Sequence, residues 1–223
     1  MYDFLKEVRA IGFDLDQTLY PDSPEINNRV RNKIAERLVN ISPSFRTSYE
    51  SMERARKRFE ERYKILKSGT EVLREAGYAN PERVMDDCLA GADVLDLISE
   101  NPKLKEIFDK LENKYKTLFL ITSSPKDLAN EKLKKIGISP AIFKYKIYSD
   151  TPNTGPKSTG EPFRFILNLS SLHPSQHLYI GDRLKSDILP PKNLGMYAGG
   201  VWSEIKEADF SIPHINKLED VLL

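Results

Sequence analysis

The chain has 223 residues, with 34 Lys plus Arg against 33 Asp plus Glu and a formal net charge of +1. That length suits one large domain or one domain with an inserted lobe, and 39% hydrophobic residues are enough for a core and argue against intrinsic disorder. The near-zero charge balance argues against wholesale binding of nucleic acid and against an acidic solvating tail.

Residues 8–15 (VRAIGFDL) are apolar and β-branched and stop abruptly at charge, which predicts a buried strand of a parallel sheet. Asp14 and Asp16 fall at its C-terminal end. Residues 20–24 (YPDSP) read as a loop. Ile26, Val30, Ile34 and Leu38 then recur every four residues, one face of a helix. Tyr49, Met52, Phe59, Tyr63 and Leu66 make a second apolar stripe. Val72, Leu73 and Ala76 form a short helix that Gly77 is placed to end. Asn80-Pro81 pairs an N-cap with a first-turn proline and opens a helix carrying Val84, Met85, Cys88 and Leu89. No strand pattern appears between residues 21 and 92, so this stretch reads as an all-helical insert.

From residue 92 onward helices and strands alternate. Asn101-Pro102 opens a helix with Leu104, Ile107, Phe108 and Leu111 inward. Residues 117–122 (TLFLIT) are a second buried strand, and a helix over 125–136 follows, stopped by Gly137. A third strand spans 145–149, a loop 151–160, a helix 162–169 and a fourth strand 177–180 that ends at Gly181-Asp182. A helix through 188–194 stops at Gly195 and leads to a fifth strand at 196–202. A short strand near Phe210 and a helix over 215–223 close the chain. Such alternation implies an α/β fold with a Rossmann-like, doubly wound parallel sheet. The expected layout is a sheet domain over 1–20 and 93–223 and a helical insert over 21–92.

In an open α/β sheet, ligands bind at the carboxyl ends of the strands. Those ends carry Asp14, Asp16 and Thr18 (first strand), Thr122 and Ser123 (second), Lys157 (loop after the third), and Asp182 and Asp187 (after the fourth). Four carboxylates would repel one another. A pair of charges about 4 Å apart, at an effective dielectric near 20, costs about 4 kcal/mol. A cation relieves this, and oxygen ligands select a hard one such as Mg²⁺. A lysine and hydroxyls beside Mg²⁺ suit a phosphoryl group, and an aspartate can attack phosphorus. The residues by themselves point to Mg²⁺-dependent phosphoryl chemistry.

Asp14-Leu15-Asp16-Gln17-Thr18 resembles the D-x-D-x-T signature of the haloacid dehalogenase superfamily. Thr122 at the end of an apolar strand, Lys157 ahead of Phe163, and Gly181-Asp182-Arg183-Leu184-Lys185-Ser186-Asp187, similar to G-D-x-x-x-x-D, follow in that family's order. The resemblance covers nearly the whole chain, and the helical insert stands where that superfamily places its cap. It implies that Asp14 is the nucleophile and Asp16 the general acid and then base. It implies that Mg²⁺ is held by Asp14, the Asp16 backbone carbonyl and Asp182, with Asp187 in support. Thr122, Ser123 and Lys157 would bind phosphate. Dehalogenases of the superfamily lack the second aspartate, so Asp16 points toward phosphate esters. Gln17 stands where glycine or asparagine is more usual, Ser123 where many relatives carry asparagine, and Lys157 is followed by Ser158-Thr159-Gly160 rather than the common proline-containing run. The continuation Leu19-Tyr20-Pro21 and the Gly69-Thr70 region look similar to a pyrimidine 5′-nucleotidase-like branch.

The implied function is a phosphatase of small phosphorylated metabolites, a nucleoside 5′-monophosphate among the candidates, acting through an aspartyl-phosphate. A phosphotransferase or sugar-phosphate mutase is the enzyme alternative, and a phosphate-binding protein without turnover is another. No nucleic-acid polymer and no membrane is an expected partner. The single cysteine, Cys88, forbids an intramolecular disulfide. The start of the chain is charged at Asp3, Lys6, Glu7 and Arg9, with no apolar run after it. A cytoplasmic protein is therefore expected. Cys88 reads as a core thiol, and His173, His177 and His214 as structural or surface residues. Arg183 and Lys185 read as solvated, the basic run over 50–67 as a solvated helix face, and Ser124 as the better N-cap for the helix after the second strand.

Overall fold

In the computed structural model of the chain, residues 2–41, 49–66 and 68–223 are described, together with their side chains except those of residues 40, 41 and 49–51. They fall into two compact units, residues 22–97 and residues 2–21 with 98–223.

Among its described residues the first unit holds four α-helices, α1 (Pro24–Ile41), α2 (Tyr49–Leu66), α3 (Gly69–Glu75) and α4 (Pro81–Ala90). The four-residue repeat has its expected consequence: Ile26, Val30, Ile34 and Leu38 are all buried. On α2, Ala55 and Phe59 are buried, while Met52, Tyr63 and Leu66 are half-buried; the Tyr49 side chain lies outside the described residues. Asn80 caps α4 by accepting from the Arg83 N–H. Cys88 is buried, and burial pushes its thiol up to about 11, as suits a core residue rather than a nucleophile. The unit ends at Leu97, five residues later than the helical pattern suggests, and an ion pair ties the added segment to α1. Arg29 on α1 donates to the Asp93 carbonyl at 2.5 Å and to both carboxylate oxygens of Asp96 at 2.6 and 2.8 Å. That fork holds the linking segment to the helices.

The second unit is a six-stranded parallel sheet of β1 (Ala10–Phe13), β2 (Thr117–Ile121), β3 (Tyr145–Ile147), β4 (His177–Gly181), β5 (Tyr197–Val201) and β6 (Phe210–Ile212), in the order β3-β2-β1-β4-β5-β6. Strands β1, β2 and β4 are buried along their whole length, as continuous apolar runs in a covered parallel sheet should be. The connections include α5 (Pro102–Lys114), α6 (Lys126–Ile136), α7 (Glu161–Ser170), α8 (Leu189–Asn193) and α9 (Leu218–Leu222). Asn101 caps α5 through the Leu104 N–H, and Gly137, at φ 94°, ends α6 in the left-handed conformation that glycine adopts freely.

The order reverses direction at β1, whose two neighbours are β2 and β4. Phe13 stands in register with Leu120 on one side and Ile180 on the other. Residues just past these three strands are therefore brought to one point, the switch point at which α/β sheets bind ligands. No described helix is long and apolar enough to cross a membrane.

Candidate active site

Asp14 follows β1 directly and continues its ladder, its N–H donating to the Ile180 carbonyl at 2.9 Å. The chain then folds back, with Thr18 and Leu19 N–H groups both on the Leu15 carbonyl. Gln17 sits in that turn at φ 59°. A left-handed residue with a β-carbon costs about 1–2 kcal/mol, which explains why glycine or asparagine suits the position. Here Arg183 holds Gln17 instead, its Nη2 donating to Gln17 Oε1 at 2.7 Å. Arg183 is thus engaged, contrary to a purely solvated reading, while Lys185 is exposed.

Asp187 is brought inward by a π-helical turn, Leu184–Ile188, a widening often found at functional sites. Its Oδ2 accepts from the Arg183 N–H at 3.0 Å. The turn packs so closely on β4 that a β-carbon on Gly181 would stand 2.3 Å from the Asp187 β-carbon; glycine is required for this approach.

Two clusters result. In the first, Asp14, Asp182 and Asp187 each present a carboxylate oxygen, all within 4.8 Å of one another. Lys157 Nζ donates to Asp14 Oδ1 and to Asp187 Oδ1, both at 2.6 Å. Thr18 Oγ1 lies 3.1 Å from Asp14 Oδ2 and 3.1 Å from Asp182 Oδ1. Burial pushes the Asp14 carboxyl up to about 8, with Lys157 working against it and Asp187, Asp182 and Asp16 adding to it. Burial also pushes Asp182 up to about 6, against Arg183. Burial works against the Lys157 charge, but Asp14 and Asp187 outweigh it and hold the ammonium well above the ordinary lysine value.

The second cluster surrounds Asp16, whose side chain is turned out of the first. Oδ1 accepts from Tyr20 Oη at 2.7 Å and from Lys132 Nζ at 2.5 Å. Oδ2 accepts from Thr122 Oγ1 at 3.1 Å and from Ser124 Oγ at 2.8 Å. Burial alone would raise this carboxyl, but Lys132, Tyr20 and Ser124 hold it at about 2. Thr122 Oγ1 also accepts from the Ser124 N–H. Ser123 lies half-buried between them.

Tyr20, Ser124 and Lys132 escape the sequence reading. Ser124 is no helix cap. The helix starts at Lys126, whose N–H reaches the Asp150 carboxylate oxygens at 3.1 and 3.3 Å instead. A signal for Lys132 exists all the same: it lies on the inward stripe of α6 with Ala129, Leu133 and Ile136, where a lysine needs a buried partner. The histidines stand apart from both clusters. His177 bonds Ser170 Oγ and the His173 carbonyl, while His173 and His214 accept from the N–H groups of Ser175 and Asn216.

The donors of the first cluster are carboxylate oxygens throughout, a set that fits a hard divalent cation such as Mg²⁺ and does not favour a soft one.

Known proteins resemble the chain in sequence and in fold. The family model of the haloacid dehalogenase-like hydrolases matches residues 8–195. The chain is 31% identical over 113 residues to the pyrophosphatase PpaX of Bacillus velezensis, a match that covers 51% of each chain. The chain thus spans about half the length of that curated relative. The fold is shared with a HAD phosphatase from Thermococcus onnurineus, at a TM-score of 0.64 and 19% identity over 96% of this chain and 98% of that one. It is shared too with a 2-haloacid dehalogenase from Pseudomonas syringae, at 0.56 and 20% over the same shares of the two chains.

Proposed function

The chain belongs to the haloacid dehalogenase-like hydrolase family, and on that premise we propose that it hydrolyses phosphate monoesters of small metabolites through a phosphorylated Asp14. The fold is common to phosphatases and dehalogenases, so it does not choose the reaction. What carries the choice is the second carboxylate, Asp16, two residues past Asp14 and held apart from it by its own set of donors. An ester oxygen needs a proton as it leaves, and a halide does not.

Asp14, Asp182 and Asp187 are the side chains that would hold Mg²⁺, with the Asp16 carbonyl beside them. Bound there, the cation would offset the charge of the phosphate and keep Asp14 ionised. An Asp14 carboxylate oxygen then bonds to phosphorus as the ester P–O bond breaks, and Asp16, which must first take up a proton as substrate binds, gives that proton to the departing oxygen. Next a water loses a proton to Asp16 and attacks phosphorus, the Asp14–phosphorus bond breaks, and phosphate leaves with Asp14 restored. Lys157, already between Asp14 and Asp187, is at hand for a phosphoryl oxygen. Thr122 and the Ser123 backbone would take the others. A phosphate drawing on Thr122 withdraws one of the four donors on Asp16. We assign the helical unit the part of the family's cap.

The test is phosphate release from p-nitrophenyl phosphate and from a panel of alkyl monophosphates, nucleoside 5′-monophosphates and inorganic pyrophosphate, the last because the Bacillus velezensis relative is a pyrophosphatase. Release should need Mg²⁺, stop in EDTA and fall by several orders of magnitude in Asp14→Asn. Phosphate appearing without a phosphorylated second product separates hydrolysis from transfer to another hydroxyl. Halide release from a 2-haloacid with no phosphate release from any ester would overturn the reading.

A further inference from the structure

Lys132 is 1% exposed and stands among Ala129, Leu133 and Ile136 on the inward face of α6. Its ammonium lies 2.5 Å from Asp16 Oδ1 and 2.8 Å from Ser124 Oγ. Ser124 Oγ in turn lies 2.8 Å from Asp16 Oδ2. Lysine, serine and carboxylate close a ring, so both Asp16 oxygens are tied to α6 and to the turn before it. Tyr20 adds a donor on Oδ1 and Thr122 one on Oδ2. Hydroxyls alone would hold the carboxylate weakly, because they rotate and carry no charge. The ammonium supplies a charged hydrogen bond, about twice as strong as a neutral one.

We propose that Lys132 is a positioning residue for Asp16: it fixes the direction in which the Asp16 carboxyl faces and thereby, once that carboxyl has taken up a proton with substrate bound, its alignment with the leaving group. The proposal rests on the phosphatase reading, in which Asp16 is the acid. Lys132 acts at one remove and does not meet the substrate.

A residue that only supports the fold would lower turnover of every substrate alike. A residue that acts through Asp16 lowers it according to the leaving group. p-Nitrophenolate departs with little help, whereas an alkoxide needs its proton. The experiment compares kcat/KM for p-nitrophenyl phosphate with that for the best alkyl monophosphate of the substrate panel. The proteins are wild type, Lys132→Met, Asp16→Asn and the double variant, all loaded with Mg²⁺. Lys132→Met should lose about 100-fold on the alkyl ester, the lower end of what a general acid contributes, and less than tenfold on the aryl ester. On the Asp16→Asn background it should cost less than threefold further on either, since the two residues act as a unit. Ser124→Ala breaks the same ring without stranding a buried charge. It should show the same preference at about tenfold, and it decides the matter if Lys132→Met does not fold. Equal losses on both esters in the folded variants, or losses that add in the double variant, would overturn the proposal. Asp16→Asn alone keeps the two readings apart. If it shifts the aryl-to-alkyl ratio and Lys132→Met and Ser124→Ala do not, Lys132 falls and the phosphatase reading stands. If Asp16→Asn leaves the ratio unchanged, the acid assignment falls and takes Lys132 with it.

Discussion

Lys157 Nζ lies 2.6 Å from Asp14 Oδ1 although 143 positions separate the two residues in the chain. The same ammonium is 2.6 Å from Asp187 Oδ1, and all three groups are buried. One cation thus holds two carboxylates together in a place that otherwise favours neither charge. Lys157→Met strands both, and breaking a buried pair this way costs about 3–5 kcal/mol. Its melting temperature in EDTA should drop well below that of wild type and recover in part with Mg²⁺. Its kcat/KM should fall about 10²- to 10³-fold, as for loss of a preorganised donor. A variant within threefold of wild type would mean that Lys157 stays out of the reaction.

The Asp14, Asp182 and Asp187 oxygens lie within 4.8 Å of one another, so a cation that binds only the folded chain stabilises it. The gain is about 2.7 kcal/mol at a hundredfold excess over Kd. Wild type should melt higher in Mg²⁺ than in EDTA. Asp182→Asn removes one ligand and one repelling charge together. It should match or exceed wild type in EDTA and gain much less from Mg²⁺. The opposite pattern, a loss in EDTA with an undiminished Mg²⁺ shift, would assign Asp182 to the fold alone.

The pH dependence of stability without metal has a definite sign. Asp14 is raised to about 8 and Asp182 to about 6, so both take up protons on folding. A group raised in this way contributes stability that is complete below its unfolded value, about 4, and that is lost as pH rises through its folded value. In EDTA the melting temperature should therefore fall between pH 6 and pH 8, the span of those two values. Saturating Mg²⁺ should flatten that slope by favouring the ionised carboxylates. Asp16, held at about 2, has the opposite sign: its contribution is present above about pH 4 and is lost only as pH falls toward 2. An EDTA curve that rises from pH 6 to pH 8 would contradict the charge arrangement of the cluster.

Gly181→Ala tests how Asp187 is placed. The added β-carbon would stand 2.3 Å from that of Asp187, so the π-turn must shift. Overpacking of this kind costs about 1–3 kcal/mol. The Mg²⁺-dependent rise in melting temperature should shrink as well, because the displaced residue is one of the three carboxylates. An alanine variant with the full Mg²⁺ shift would show that Asp187 has no part in holding the metal.

The strand ends were legible in the sequence, because a buried parallel strand is an unbroken apolar run and the residues at its end are easily found. Asp14, Asp182, Thr122 and Lys157 could be placed on strand ends or the loops after them without any coordinates. Local signals did as well: Asn80, Asn101 and Gly137 cap where their chemistry says they should. Which strand ends meet was not legible. Asp14 faces Asp182 because β1 lies between β2 and β4, and strand order depends on long-range packing rather than on periodicity. The surroundings of Asp16 were hidden for the same reason. Lys132 is 116 positions away and Ser124 is 108, and the helical stripe of α6 tells only that Lys132 faces inward. The sequence alone determined the strands, the helices and which polar residues stand at their ends. Only the tertiary structure decided that one carboxylate would be held by Lys157 and the other by Lys132, because a buried charge takes the partner that packing brings within hydrogen-bond reach.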